Sequence, residues 1–181
     1  MKKRILISQL VTLVLLVAAR PESWPLFWAG LGLMALGQAV RLAASAAIVK
    51  SKTLTTTGPY AVVRNPLYLG TLLMTAGLLT MLSAPSRPLL TAGLWVFAAA
   101  SFGWIYYVTI KAEEVYLGTI YGKDFEAYMA AVPALCPCRP AGFFDLSAYS
   151  REVFRKNKEW RGMTAAFLLA VLVAARIHYG F

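Results

Sequence analysis

Residues 56–73, TTGPYAVVRNPLYLGTLL, decide how the chain is organised, because a polar turn here separates two strongly apolar segments. The pair Gly58-Pro59 is typical of a turn, and Pro66 suits the first turn of a helix, where its missing N–H costs nothing. Asn65 then falls at the N-cap position of the helix that follows. The stretch therefore predicts a helix that begins at a membrane surface with polar side chains gathered around its start.

The composition indicates an integral membrane protein. Of the 181 residues, 59% are hydrophobic and only 14% are charged, and the mean hydropathy is +0.62. A soluble domain of this length needs far more polar surface to cover its core. We therefore expect residues 1–181 to form one compact membrane unit without a second domain.

Five apolar segments predict an all-α protein with about five transmembrane helices. The first segment also resembles a signal peptide, but the short turn behind it favours a helical hairpin, and whether this span is retained stays open. Arg41 lies inside the second segment, where it either reaches the interface and lipid head groups or has a functional role. The segments are Ile5–Ala19, Leu26–Val49, Leu67–Leu82, Leu89–Ile110 and Met163–Tyr179.

The formal net charge of +10 is distributed unevenly along the chain, and this distribution predicts the orientation. If the N terminus is cytoplasmic, only Arg20, Arg87 and Arg176 fall on the opposite side, and the other fifteen of the eighteen lysines and arginines are cytoplasmic. Such a bias is typical of multi-pass proteins, so we expect a bacterial or archaeal inner-membrane protein with a cytoplasmic N terminus. Orientation and contact with anionic lipid explain the basic residues, and we predict no nucleic-acid partner.

A second polar region follows the fourth span and contains the acidic pair Glu113 and Glu114. Spans three and four are joined by a tight turn, so residues 64–68 should lie beside these carboxylates at the membrane edge. N–H groups at the start of a helix can hold a carboxylate, and a glutamate can hold an ammonium, a sulfonium or a ribose hydroxyl. This convergence predicts a pocket at the cytoplasmic face. Gly122 predicts a break after the fourth helix.

Residues 143–162 combine aromatic and basic side chains, and two interpretations remain open for them. The segment is either an amphipathic helix in the membrane interface or a solvated basic connector. Residues Val115, Ile120, Phe125 and Tyr128 indicate a similar interfacial piece earlier in the chain.

Metal chemistry is not expected. Cys136 and Cys138 are too close in sequence for an unstrained disulfide, and a structural zinc site usually needs four ligands. The single histidine, His178, is predicted near the opposite face, which argues against a histidine base. We interpret both thiols as structural or incidental.

Two sequence blocks together carry a family resemblance. KTLTTTGPYAVVRNPLYLG, residues 52–70, and EEVYLGTIYGKDFEAYMAAVPALCP, residues 113–137, resemble the isoprenylcysteine carboxyl methyltransferase and phospholipid methyltransferase superfamily of membrane proteins. That family has a Gly-x-Tyr turn, Arg-His/Asn-Pro-x-Tyr, a membrane hairpin, a Glu-Glu pair and a Val-Pro. The resemblance covers residues 52–137 as a cofactor-binding core, and residues 138–181 add a basic interfacial segment and a last span.

The resemblance implies S-adenosylmethionine as methyl donor and a lipophilic or amphiphilic acceptor among the membrane lipids. We further predict that Glu114 orients the acceptor or takes a proton, and that Arg64 holds an acidic group. The donor-binding residues carried over from the family pattern are Lys52, Thr53, Leu54, Thr55, Tyr60, Asn65, Pro66, Leu67, Tyr68 and Glu113.

The sequence departs from the family pattern at two positions. Asn65 stands where the family often has histidine, and Thr109 stands where the prenylcysteine enzymes have an arginine thought to meet the substrate carboxylate. The acceptor and the methylated atom therefore stay open. The alternatives are N-methylation of an amine-bearing phospholipid and a non-catalytic membrane scaffold or lipid-binding protein of the same fold.

Overall fold

The computed structural model describes residues 2–48, 53–137, 149–157 and 159–180. The predicted span end at Val49, the predicted donor contact Lys52 and residues 138–148 lie outside the described residues. Within the described ranges all regular structure is helical, which confirms the all-α class. The helices are α1 (Lys2–Ala18), α2 (Trp24–Ala47), α3 (Pro59–Val62), α4 (Pro66–Leu82), α5 (Pro88–Tyr121), α6 (Lys123–Ala131), α7 (Arg151–Asn157) and α8 (Trp160–Tyr179).

Five apolar helices, α1, α2, α4, α5 and α8, match the five predicted segments closely. Three of them, α2, α5 and residues 162–179 of α8, are long and apolar enough to cross a bilayer, so the protein is an integral membrane protein. Helices α1 and α4 have 17 residues each. At that length each spans about 25 Å, somewhat less than the roughly 30 Å hydrocarbon core. The prediction of five crossings therefore stays a prediction.

The apolar helices run alternately between two ends of a bundle. At one end, Arg4 near the start of α1 donates a hydrogen bond to the hydroxyl of Tyr68 near the start of α4, at 2.8 Å. At the other end, a carboxylate oxygen of Glu22, which lies between α1 and α2, accepts from the backbone N–H of Ser86, which lies between α4 and α5, at 2.7 Å. We call these the Arg4 end and the Glu22 end.

Helices α2 and α4 pack closely through two pairs of facing glycines. A Cβ atom placed on Gly37 would lie 2.5 Å from the carbonyl oxygen of Gly70, and one on Gly77 would lie 2.5 Å from that of Gly30. Small residues allow membrane helices to approach until backbone touches backbone. This contact fixes the start of α4 beside the end of α2.

A continuous apolar core joins all five long helices. Its most buried members come from α1, α2, α4, α5 and α8, so α1 and α8 are integral parts of the bundle. They include Leu15, Met34, Met81, Leu82, Ala98, Phe102 and Val173.

Helix α5 carries the acidic pair out of the hydrocarbon layer. It has 34 residues, and Glu113 follows Pro88 by about 37 Å of helix, more than the roughly 30 Å thickness of the hydrocarbon core. The helix ends at Tyr121, and Gly122 adopts a positive φ of 51°, which confirms the predicted break.

The break divides the predicted interfacial side chains into two sets. Phe125 and Tyr128 of α6 are buried, whereas Val115 and Ile120 of α5 remain exposed. The predicted interfacial piece therefore does not include Phe125 and Tyr128, because α6 turns its aromatic face back onto the protein.

Arg41, for which the sequence leaves two interpretations open, makes several polar contacts within the protein. Its Nε donates to a carboxylate oxygen of Glu159 at 2.6 Å, and one terminal nitrogen donates to the Leu67 carbonyl at 3.2 Å and to the Thr71 hydroxyl at 2.5 Å. The carboxylate from the start of α8 supplies the counter-charge that makes an internal position favourable.

The described part of residues 143–162 forms α7 and the beginning of α8, not one helix. Asn157 at the end of α7 donates to the Ser45 carbonyl of α2 at 2.8 Å, and the backbone N–H of Ser150 donates to the Ala46 carbonyl at 2.9 Å. Helix α7 is thus docked on the end of α2 at the Arg4 end.

Candidate functional site

The start of α4 is held by a short extended segment that follows α6. The backbone N–H of Arg64 donates to the Pro133 carbonyl at 2.8 Å, and that of Asn65 donates to the Ala134 carbonyl at 3.1 Å. Asn65 is the N-cap residue and Pro66 is the first residue of α4, as predicted. The Asn65 side chain makes no capping bond and instead donates to the Ala134 carbonyl at 3.2 Å.

Arg64 and Glu114, the two residues predicted to act in catalysis, are bonded to each other. One terminal nitrogen of Arg64 lies 2.6 Å from a carboxylate oxygen of Glu114, and both side chains are only 13% exposed. The other terminal nitrogen donates to the carbonyls of Met129, at 3.0 Å, and Val132, at 2.5 Å. Lys111 donates to the second Glu114 oxygen at 3.0 Å. These contacts fasten α4, α5 and the end of α6 to one another.

Glu113 points to a different set of partners. Successive residues of a helix project about 100° apart, so the two carboxylates cannot face the same side. The Tyr68 hydroxyl donates to Glu113 at 2.5 Å and accepts from Arg4 at 2.8 Å. The Arg4 guanidinium also lies 3.8 Å from the Glu113 carboxylate and 5.5 Å from the centre of the Tyr68 ring. Glu113 remains 49% exposed, so its carboxylate is accessible.

The predicted convergence of the two polar regions is confirmed by these distances. Residues 64–68 and the acidic pair lie in direct contact, although the positions are about 50 residues apart in sequence. The convergence produces two subsites, one around Arg64 and Glu114 and the other around Tyr68 and Glu113.

Tyr60 of α3 carries a polar atom that the described part of the protein leaves unpaired. Its backbone carbonyl accepts from the Tyr128 hydroxyl at 2.6 Å, but its own hydroxyl is buried without a hydrogen-bond partner there. Burial raises the pKa of the Tyr60 hydroxyl well above its usual range, so this group stays neutral. A cavity of about 290 Å³ lies nearby, between Ala61, Val62 and residues 129–133.

The second subsite opens into a larger cavity of about 690 Å³. Arg4, Arg41 and Tyr68 line the cavity at the Arg4 end, and α1, α4, α5 and α8 supply mostly apolar walls. The rings of Tyr68 and Tyr106 lie 5.2 Å apart, centre to centre, and form an aromatic corner. We call this cavity the chamber.

The other predicted donor contacts that the structure describes lie in the loop before α3 and at the start of α4. Thr53 is exposed and Leu54 and Thr55 are half-buried in the loop that precedes α3. The carbonyl of Leu67 accepts from Arg41. Of the predicted donor-binding residues within the described ranges, Tyr68 is the one that lines the chamber.

Sequence reasoning missed Arg4 and Tyr106 as site residues. Tyr106 lies two helical turns before Glu113, so its position on the same face of α5 was available from spacing alone. Arg4 lies far from the other site residues in sequence, and only the pairing of α1 with α4 reveals its contact with Tyr68.

In the described ranges, no group of three or more histidine, cysteine or acidic side chains is placed to hold a metal ion. Cys136 is exposed, Cys138 lies outside the described residues, and His178 is near the end of α8.

A family model for phospholipid methyltransferases matches residues 26–124, more than half of the chain. The chain belongs to the phospholipid methyltransferase family. The matched residues cover α2 to α5, which carry Tyr60, Arg64, Tyr68 and the acidic pair, whereas α1, α7 and α8 lie outside the match. No match was found to a curated protein or to a solved structure. Membership in this family of membrane methyltransferases is consistent with a lipid-type substrate.

Proposed function

We propose that this protein transfers a methyl group from S-adenosylmethionine to a lipophilic or amphiphilic acceptor within the membrane. The observation that supports this most strongly is the contact between Glu113 of α5 and Tyr68 of α4 at the polar end of the chamber. An accessible carboxylate, aromatic rings and an apolar cavity adjoin at this point. A donor from the aqueous side and an acceptor from the bilayer could therefore meet there.

The residues present suit a cationic donor that carries a nucleoside. S-adenosylmethionine supplies an activated methyl group on a positively charged sulfur. Glu113 would hold the positive charge, and the faces of the Tyr68 and Tyr106 rings would add cation–π attraction. The unpaired hydroxyl of Tyr60 would bond a polar group of the donor. Residues 52–55 and Asn65–Leu67 complete the proposed donor contacts.

The protein would contribute to catalysis mainly by positioning the donor and the acceptor and by excluding water from the site. Holding two reactants in line lowers the entropic part of the barrier, and a dry site strengthens electrostatic contacts. Tyr68 fixes the Glu113 carboxylate, and the segment at Pro133 and Ala134 fixes the start of α4. Glu114 and Arg64 remain our proposed groups for orienting the acceptor, although their mutual ion pair also gives them a positioning role.

The proposed topology is five membrane crossings with the N terminus and the site on the cytoplasmic side. The alternation of α1, α2, α4, α5 and α8 between the two ends of the bundle supports this proposal, since each helix starts at the end where its predecessor finished. The concentration of lysine and arginine residues at the Arg4 end supports the cytoplasmic orientation of that end.

A second candidate is N-methylation of an amine-bearing phospholipid. Glu113 favours it because an accessible carboxylate at the polar end of the chamber can hold an ammonium group, in which case Glu113 would serve the acceptor and not the donor. The family match to phospholipid methyltransferases is consistent with it.

The direct test is incubation of the purified protein and native lipid extract with labelled methyl donor, followed by mass spectrometry of the product. Methylation of a carboxyl group would support an activity like that of the isoprenylcysteine carboxyl methyltransferases, whereas methylation of a phospholipid amine would support the second candidate. Glu113→Ala should abolish donor binding measured by calorimetry in detergent. The matched control Glu126→Ala removes an exposed carboxylate of α6 and should bind normally. Unchanged affinity in Glu113→Ala would refute its assignment, and no donor binding by the unmodified protein would favour the non-catalytic scaffold.

A further inference from the structure

The chamber is walled largely by helices that lie outside the family match. Most of its lining side chains belong to α1 and α8, whereas the matched region contributes a smaller set from α2, α4 and α5. Along α1 the lining extends from Arg4 to Leu16, which corresponds to roughly 18 Å of helix. The donor-side residues and the chamber walls are thus supplied by different parts of the chain.

Polarity changes along the chamber. The Arg4 end has two arginines and Tyr68, whereas Leu16 and Leu172 line positions further along α1 and α8. Thr12, Thr71 and Thr75 also line the chamber, but each of their hydroxyls donates to a carbonyl of its own helix one turn earlier. These hydroxyls can accept a further hydrogen bond, but because their protons are already engaged they cannot donate one to an anion. Ser8 and Gln9, the other polar side chains of α1 in the lining, lie within two turns of Arg4, so an acidic group would be most stable near the arginines.

The two arginines are not equivalent. Arg41 is ion-paired with Glu159 and also donates to the Leu67 carbonyl and the Thr71 hydroxyl, so its charge and donors are engaged. Arg4 uses one terminal nitrogen for its hydrogen bond to Tyr68, and its distance of 3.8 Å from Glu113 is long for an ion pair. Of the two arginines that line the chamber, Arg4 is therefore the one that can bind a further acidic group.

We propose that the chamber binds an amphiphile with an acidic head group, with Arg4 contacting the head group and an apolar chain lying between α1 and α8. Its assignment as the acceptor subsite rests on the proposed methyl transfer, but binding itself does not. Arg4 then selects for a phosphate or carboxylate, and the α1 and α8 walls select for the chain. When Glu113 binds a cationic group, its carboxylate attracts Arg4 less strongly. Arg4 can then bind an acidic head group more readily.

The test uses three photoactivatable probes of equal chain length: an alkyl phosphate, a fatty acid and an alkyl alcohol, each with a diazirine in the chain. The full-length protein in neutral detergent is labelled without methyl donor, and the labelled peptides are identified by mass spectrometry. We expect at least one acidic probe to label α1 and α8 about tenfold more than the alcohol does, as a charge-assisted hydrogen bond implies. The phosphate and fatty-acid arms show which acid is preferred.

Matched variants test whether the labelling takes place in the chamber. Arg4→Gln should remove the preference for acidic probes and Arg4→Lys should retain part of it, whereas Arg20→Gln, at the other end of α1, should change nothing. Leu172→Trp should reduce labelling by every probe because Leu172 lines the chamber, whereas Val171→Trp, on the neighbouring exposed position, should not. If Leu172→Trp does not fold, the Arg4 variants still decide.

Equal labelling by acids and alcohol, or an acid preference that survives Arg4→Gln, would overturn the inference. Because no donor is present, acid-selective labelling stands even if methyl transfer is never observed. Conversely, methyl transfer by a protein whose chamber shows no such labelling would overturn this inference and leave the proposed function intact.

Discussion

Substituting Glu114 by glutamine separates a structural role for this residue from a chemical one. Glutamine keeps the shape of the side chain and removes its charge, so the Arg64 guanidinium loses its counter-charge while it remains mostly buried. Two backbone carbonyls at the end of α6 would still accept from Arg64. The expected consequence is a weaker junction between α4, α5 and α6.

The expected loss of folding free energy follows from the burial of the Arg64–Glu114 ion pair. Breaking a fully buried ion pair costs roughly 3–5 kcal/mol, and a single hydrogen bond to a charged group contributes roughly 1.5–3 kcal/mol. With both side chains 13% exposed and two carbonyl contacts retained, we expect a loss of about 2 kcal/mol. For a chain of this length that corresponds to a fall in Tm of about 4–8 °C.

The assay is thermal unfolding in detergent followed by tryptophan fluorescence, with Glu114→Gln, Arg64→Gln and the double variant forming a cycle. Coupling between the two positions should make the double variant less destabilised than the sum of the single variants. Lys111→Gln is the control, because Lys111 also pairs with Glu114 but is 61% exposed, and exposed pairs contribute little. A Tm of Glu114→Gln equal to that of the wild type, with methyl transfer lost, would refute the structural role and favour a purely chemical one.

Two further substitutions test the packing of the bundle and the contact at its Glu22 end. Gly37→Ala should lower the apparent Tm, because its Cβ would lie 2.5 Å from a carbonyl oxygen of α4, and overpacking of this kind costs roughly 1–3 kcal/mol. Gly32→Ala has open space around the new atom and should not lower the Tm, so equal losses in the two variants would contradict the close packing of α2 and α4. Hydrogen bonds from the Ser86 hydroxyl and backbone N–H hold the pKa of Glu22 below its usual 4.5. Ionised Glu22 should therefore stabilise the folded protein above pH 4.5 and lose this effect as the pH falls through its lower folded-state pKa. Glu22→Gln should reduce this acid-dependent loss when Tm is measured over a series of pH values. Identical Tm profiles against pH for the wild type and Glu22→Gln would count against this role of Glu22.

The features predicted correctly from sequence depend on local chemistry. Proline at the first position placed the start of α4 at Pro66, and a glycine that tolerates positive φ placed the end of α5 before Gly122. The approach of residues 64–68 to the acidic pair needed one further assumption, that two helices joined by a tight turn lie antiparallel. Each of these signals lies within a short stretch or between adjacent helices.

The features missed from sequence depend on contacts between distant segments. Arg41 and Glu159 are 118 residues apart, and the apolar segment around Arg41 contains no indication that a carboxylate will arrive from the start of α8. Arg4 was interpreted as an orienting charge because its contact with Tyr68 requires the relative placement of α1 and α4. Charge inside or beside an apolar span indicates that a partner is needed, but it does not identify the partner.

The polar contacts of α1 have a consequence for how an acceptor would enter the chamber. Arg4 fastens the start of α1 to Tyr68, and Arg176 of α8 fastens its end by donating to the Ala19 carbonyl at 2.8 Å. Between these contacts α1 and α8 line the chamber with side chains such as Leu13 and Leu168 that are exposed on the surface of the bundle. Helices tied at their ends and separated by a cavity between them can admit an apolar chain sideways without moving α4 or α5. On the proposed function, changes in α1 or α8 would therefore alter the choice of acceptor and leave the donor side in place.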